Sequence, residues 1–336
     1  MPTQDKYDRF KVLVLTVGCI NYDHDINHFE PIRGLFKHTL RYDYFARLVE
    51  LGRDGMNAEL INLVNHERPD YVFYITYQDQ VELNTLVKIR STGSKLIGWF
   101  SDDQWRFDQF SKKLARYLDY QITTDENAFD RYRELGFNPI HCQWGSNEHH
   151  YLCRPELEKI YDVSFVGSKH GRREVYLEQL ESKGIRISGF GKDWNGRISF
   201  AEMINVFNRS KINLNFCFAS TDENIKQIKG RIFEVPMCGG FLLTDYVKGL
   251  ENYFEVGREI ETFRDMEEAH EKITYYLDHD QEREEIAAAG FKRARTEHTW
   301  EKRLKDVFDE ILKDRDKRTS PKPGLGARMI NRIFNV

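Results

Sequence analysis

The stretch Lys229-Gly-Arg-Ile-Phe-Glu-Val-Pro-Met-Cys-Gly-Gly-Phe-Leu-Leu-Thr-Asp245 puts two cations and a carboxylate around an otherwise apolar segment. Lys229 and Arg231 fall in the first turn of an expected helix, where positive charge opposes the helix dipole. A bound diphosphate reverses that sign. Glu234 stands three residues after Arg231 and so shares its face. One reading is a weak surface ion pair. The flanking Phe233, Val235, Met237 and Cys238 favour a second, in which the carboxylate accepts two hydrogen bonds from a ribose diol. Gly239 and Gly240, before the strand Phe241–Thr244, are expected to allow close backbone packing and to belong to the same ligand-binding stretch as Lys229, Arg231 and Glu234.

A second stretch, Asp162-Val-Ser-Phe-Val-Gly-Ser-Lys-His-Gly-Arg-Arg-Glu-Val-Tyr-Leu177, reads as strand, turn and helix. Gly167, Ser168, Lys169 and Arg172 occupy the turn. Free backbone N–H groups at a helix N-terminus favour phosphate, and the neighbouring cations add to that. A solvated surface turn is the plainer alternative. Candidate groups for deprotonating a hydroxyl are Asp102 and Asp103, after the strand ending at Phe100, and His24 and Asp25, in the long loop after the first strand. Each can equally serve as a helix cap or loop residue. His141, Cys142, His149, His150 and Cys153 match no common metal-ligand spacing, so no metal site is expected.

These residues need elements to hold them. Short β-branched runs alternate with helical patterns along the chain: strands at residues 10–17, 71–75, 95–100, 120–123 and 140–144, with helices around 42–52, 56–65, 82–89, 107–118 and 126–135. That alternation means βαβ units and a parallel sheet. Residues 145–160 break the rhythm and read as a linker. A second alternating set follows, with strands at 161–166, 185–188, 212–216 and 241–244 and helices at 172–182, 200–208, 266–277 and 283–295. The expected organisation is an N-terminal domain over 1–150, a C-terminal domain over 151–298, a closing helix over 299–314 and a basic tail over 315–336. Ligands of such sheets bind outside the carboxyl ends of the strands, so two domains facing each other make a deep cleft.

Composition narrows the functions. A net charge of −4 argues against a general nucleic-acid binder. No apolar run is long enough to span a membrane, and residues 1–9 carry no signal-peptide core. Five scattered cysteines fit a reduced cytoplasmic protein. In the tail, Leu325, Met329, Ile330, Ile333 and Phe334 alternate with Arg328 and Arg332. This pattern fits a segment docked on its own domain or on a second subunit. It also fits a short helix lying peripherally on the inner, anionic face of a membrane.

Residues 229–245, together with the segment 253–304 (YFEVGREIETF through HTWEKRL), resemble the C-terminal half of group-1 glycosyltransferases, and most of all the subgroup named for spore-coat maturation proteins. The likeness runs over about residues 160–312 and includes the interdomain-like GSNEHHYLCRP; the N-terminal half shares only layout and the stretch GWFSDDQW. The resemblance implies a GT-B fold, that is, two Rossmann-like parallel-sheet α/β domains across a cleft. It implies metal-independent transfer of a sugar, without a cofactor, from a nucleoside diphosphate sugar to a hydroxyl of a glycan or lipid-linked acceptor. Lys229 and Arg231 would then hold the diphosphate and Glu234 the ribose. One departure stands out: Lys226 occupies the position where many retaining members carry an earlier glutamate. A nucleotide-sugar epimerase of the same fold, and a non-catalytic sugar-nucleotide binding or assembly protein, are the alternatives.

Overall fold

The computed structural model describes residues 5–18, 23–194, 196–219 and 222–319. The membrane-contact pattern in the tail, residues 325–334, lies outside them.

Two parallel sheets organise the chain. The first is built from β1 (Lys11–Thr16), β2 (His38–Asp43), β3 (Tyr71–Ile75), β4 (Lys95–Phe100), β5 (Tyr120–Thr123) and β6 (Ile140–His141), in the order β2-β1-β3-β4-β5-β6. The second contains β7 (Tyr161–Val166), β8 (Ile187–Phe190), β9 (Ser210–Asn215), β10 (Leu242–Asp245) and β11 (Glu261–Phe263), in the order β11-β10-β9-β7-β8. Every pairing is parallel. The strands that read as unbroken apolar runs are the central ones. β3 is buried at all of its residues, because helices cover both faces of the sheet.

Two strands escape the sequence pattern. β2 sits in the stretch read as loop and helix, since its residues HTLRYD carry a mixed edge-strand pattern with little continuous burial. β11 is only three residues long and lies at the opposite edge. The helix expected to begin at Tyr42 begins instead at Tyr44, capped by Asp43, whose side chain accepts from the Ala46 amide. It runs on to Glu67 through a break at Gly52, where φ is +69°.

The final helix, Trp300–Thr319, follows the second sheet in sequence but packs on the first. Trp300, Leu304, Val307, Phe308 and Ile311 join the core formed by Val12, Val14, Phe73 and Trp99. Its amphipathic stripe therefore closes the first domain. The chain crosses between the sheets twice, and the crossings run side by side: Ser146 bonds the His298 carbonyl (3.0 Å) and the Trp300 amide bonds Ser146 (3.1 Å). Trp144 packs into both domain cores.

Candidate functional site

The carboxyl ends of β1, β7 and β8 open on one cleft cavity of about 360 Å³. Gly18, His24 and Asp25 line it from the first domain; Gly167, Ser168, Gly191 and Arg231 line it from the second. The turn after β7 and the turn after β8 press together here. A Cβ at Gly191 would stand 2.4 Å from the Gly167 carbonyl oxygen, at a φ of +125°, so only glycine fits.

Cations gather behind this surface. Arg173 opens the helix Arg173–Ser182 and is only 6% exposed. Its guanidinium donates to the carbonyls of Ser168 (2.9 Å) and Phe216 (3.4 Å) and has no carboxylate within ion-pair distance among the described residues. Burial, reinforced by Arg231, lowers its pKa to about 10. Lys229 donates to the Phe218 carbonyl at 2.6 Å. Burial and then the repulsion of Arg173 lower it to about 8. His170 is pushed down to about 3 by burial, Arg173 and Lys229 together, which keeps it neutral. Arg231 donates through Nε to the Val166 carbonyl at 3.3 Å and stacks over Phe207. The turn after β7 and the segment before β10 thus meet at one electropositive spot, although more than fifty residues separate them in sequence. Arg173 belongs to it as well; only its position next to Arg172 in a basic run hinted at that.

Lys229 lies before the helix, whose first residue is Arg231 and whose length is seven residues. The expected clash with a helix dipole therefore does not fall on Lys229, which is disfavoured by burial and by Arg173 with no carboxylate within ion-pair distance among the described residues; Arg231, at the helix start, has Glu234 as its partner.

Glu234 is fully buried. Its Oε2 pairs with Arg231, and its Oε1 accepts from the Tyr151 hydroxyl at 3.2 Å. Tyr151 in turn accepts from Asn27 Nδ2 (3.3 Å), which belongs to the first domain. The Arg231–Glu234 pair is thus buried, against the surface reading, and the carboxylate meets protein groups and does not line the cavity. Its visible work is to hold Arg231 and to tie it, through Tyr151, to the loop that carries His24. Neither Tyr151 nor Asn27 was legible as a site residue.

The first-domain candidates separate. His24 and Asp25 reach the cavity. Burial lowers His24 to about 4, so it is neutral near pH 7. Both Asp25 oxygens accept from Arg41, at 2.6 Å each. Asp102 lies mid-cleft and accepts from Gln227 of the second domain at 3.0 Å. Asp103 does not face the cleft. It is wholly buried, accepts from the Tyr132 hydroxyl (2.9 Å), and burial raises its carboxyl to about 6.

Several other expectations need correction. Lys169 is held by Glu174 over the Trp194 ring, and Arg172 faces Glu223, so neither points at the cavity. Gly239 and Gly240 sit at the far end of their helix, at the amino end of β10. There their missing Cβ atoms make room for Cys153 and Asn213. They serve packing and not the ligand. Of the His and Cys residues weighed as ligands, His141, His150 and Cys153 have separate neighbours, Glu126, Glu30 and Gly239, whereas His149 stands with Glu148 and Glu301, their ligand atoms within 4.8 Å of one another.

This architecture is the GT-B fold. The spore protein CgeB of Bacillus subtilis (strain 168) is 20% identical over 288 residues, which is 75% of this chain and 89% of that one. Anabaena HepE, solved with UDP and glucose, superposes with a TM-score of 0.69 at 12% identity, covering 91% of this chain and all of that one. Sucrose-phosphate synthase from Thermosynechococcus elongatus superposes with a TM-score of 0.67 at 9% identity, over 93% of this chain and all of that one. Within the fold, residues 172–309 match the family described as glycosyl transferase-like.

Proposed function

We propose that this protein is a glycosyltransferase that moves a sugar from a nucleoside diphosphate sugar to a hydroxyl of a glycan or glycolipid-type acceptor. One observation carries the reading: Arg173, Lys229 and Arg231 converge at the carboxyl edge of the second sheet, and the first two, Arg173 buried and Lys229 half-buried, donate to carbonyl oxygens with no carboxylate within ion-pair distance among the described residues. Buried cations of this kind need a negative partner. A diphosphate has the right charge, and the cavity beside them has room for a ligand. HepE, which shares the fold, is solved with UDP and with UDP-glucose, which makes uracil the first base to test.

In the reaction the bond from the anomeric carbon to the diphosphate breaks as the acceptor oxygen bonds to that carbon. The cationic cluster stabilises the negative charge that grows on the leaving diphosphate. Protein cations here supply what a divalent ion supplies elsewhere, so the chemistry is read as metal-independent, without a cofactor. The acceptor proton leaves on the first-domain side, where His24 and Asp25 line the cavity and Asp102 stands mid-cleft. Among the described residues no helix is long and apolar enough to cross a membrane. A cytoplasmic enzyme, touching the membrane peripherally through its tail if the acceptor is lipid-linked, is consistent with that.

The test starts with thermal shift against UDP, GDP, CDP and dTDP; at least one should raise the melting temperature. Incubation with the matching nucleotide sugar, with and without EDTA, should then release free nucleotide equally in both. Product analysis separates sugar transfer or hydrolysis from epimerisation. A folded protein that no nucleotide stabilises rules the proposal out.

A further inference from the structure

Outside the cleft, the two chain crossings between the domains bring a set of metal-type donors together. Ser146 and Thr299 form a parallel bridge. The residues after each of them are therefore carried side by side: Glu148 and His149 on the first crossing, and Glu301, in the first turn of the final helix, on the second. Backbone bonds hold the two crossings in place. The Ser146 amide donates to the His298 carbonyl (3.0 Å), the Trp300 amide to the Ser146 carbonyl (3.1 Å), and the His149 amide to Asn147 Oδ1 (3.0 Å). The ligand atoms of Glu148, His149 and Glu301 then lie within 4.8 Å of one another.

The charge at this spot is unmet. Two carboxylates this close repel each other. Among the described residues neither has a cation within ion-pair distance, and the His149 ring has no hydrogen-bond partner. Arg295, the cation that comes near, donates instead to the Glu148 carbonyl at 3.4 Å. The donor types choose the ion. An imidazole nitrogen beside carboxylates suits zinc and its transition-metal neighbours, whereas magnesium and calcium take oxygen donors. Carboxylates by themselves would not discriminate in this way; the imidazole does. Donor atoms of a tetrahedral zinc site stand about 3.4 Å apart, so these three need to draw in by about 1 Å. His149 and Glu301 are exposed and Glu148 is half-buried, so the side chains have room to turn. Three protein donors leave the fourth position to water.

We propose that Glu148, His149 and Glu301 bind one divalent transition-metal ion, with zinc the first to test, as a clip across the domain crossing. The first crossing also supports both walls of the cleft. Asn147 donates to the Ile26 carbonyl (2.7 Å), His150 bonds Glu30 (2.6 Å), and the Tyr151 hydroxyl donates to Glu234 (3.2 Å). The ion ties that segment to the start of the final helix. None of the three ligands lines the cavity beside the cationic cluster, so the ion is structural and takes no part in sugar transfer. Glu301 lies far from the other two in sequence, which is why ligand spacing along the chain did not disclose the set.

The test is calorimetric titration of the full chain with zinc chloride alone near neutral pH, and with magnesium chloride as the oxygen-seeking comparison. One saturable zinc site is expected, with magnesium weaker by about tenfold or more. His149→Ala and Glu301→Gln change exposed side chains, so both variants should fold, and each should weaken zinc about tenfold or more. His66→Ala, which removes an exposed histidine elsewhere on the first domain, should keep zinc affinity within about twofold. Zinc should raise the melting temperature of the unaltered protein and of His66→Ala, and at the same concentration leave that of the other two variants unmoved. No saturable zinc site, a zinc site that survives in both folded variants, or magnesium bound as tightly as zinc each overturns the proposal. The titrations need no nucleotide. A protein that binds zinc but no nucleotide keeps this site and loses the transferase reading.

Discussion

The two walls of the cleft treat charge in opposite ways. On the second domain, Arg173 is buried and Lys229 half-buried against carbonyl oxygens, and both lack a carboxylate within ion-pair distance among the described residues. On the first domain each acidic candidate already has a partner: Asp25 has Arg41, Asp102 has Gln227, and Asp103 has Tyr132. A wall with unmet charge is prepared for a ligand. A wall whose charges are met is prepared to hold its own shape, and it can act on a ligand only by exchanging partners.

Arg231 is where the contrast should break most sharply. It belongs to the cationic wall, yet it is also the sole ion-pair partner of the buried Glu234 among the described residues. Arg231→Met should cost about 3 kcal/mol of stability, read by urea unfolding, because it strands a buried carboxylate. Adding Glu234→Gln should restore much of that stability. Nucleotide affinity, read by calorimetry, should stay low in both, since the cation is gone. Recovery of affinity in the double variant would mean that Arg231 serves Glu234 and not a ligand.

Gly191→Ala should come next. The new methyl meets the Gly167 carbonyl at a φ of +125°. A strained residue of this kind costs about 1–3 kcal/mol. The turn after β7 should be displaced, so nucleotide affinity should fall along with stability. An affinity unchanged within error would detach these two turns from the ligand.

Tyr151→Phe removes the hydroxyl that joins Glu234 to Asn27 across the domains. A stability loss of about 1 kcal/mol is expected in denaturant unfolding. An Asn27→Ala, Tyr151→Phe double-mutant cycle should show coupling, since the groups touch.

Lys229 supplies a pH signature. Burial and Arg173 lower its pKa to about 8 in the free protein. A diphosphate restores the charged form, so binding takes up a proton above pH 8. Affinity should then fall by up to about tenfold per pH unit above that point. Lys229→Met should flatten the profile. The stability of the free protein moves the other way: above pH 8 the unfolded chain holds a proton on this lysine that the folded one has lost. The lysine's contribution therefore rises with pH up to its ordinary value of 10.5.

Asp25→Asn should have the smallest effect on stability, within about 1 kcal/mol, because the Asp25–Arg41 pair is partly exposed. If Asp25 takes part in acceptor activation, turnover should fall with nucleotide affinity unchanged. If both stay unchanged, the base lies elsewhere, with His24 or Asp102 next to be tested.

Much of this protein was legible from sequence, for reasons of period and burial. Buried parallel strands such as KVLVLT and YVFYI are apolar on both faces, so they read as strands with no help from their partners. Glycine and charge placement pointed to residues 167–172 and 229–234, because these residue types have local costs that call for a reason. Edge strands lack that signal; HTLRYD and ETF form strands because a neighbour offers them a ladder. Only the tertiary structure decided which charges are met. Lys169 and Arg172 look like ligand groups in sequence, yet they fold against Glu174 and Glu223. Arg173, one residue further on, turns inward toward carbonyls and has no carboxylate within ion-pair distance among the described residues. Asp102 and Asp103 are adjacent, yet one spans the cleft and the other is sealed beneath Tyr132. Composition and period determine where backbone can be buried. Whether a buried charge finds its partner depends on residues far away in the chain, and that is settled only when the two sheets come together.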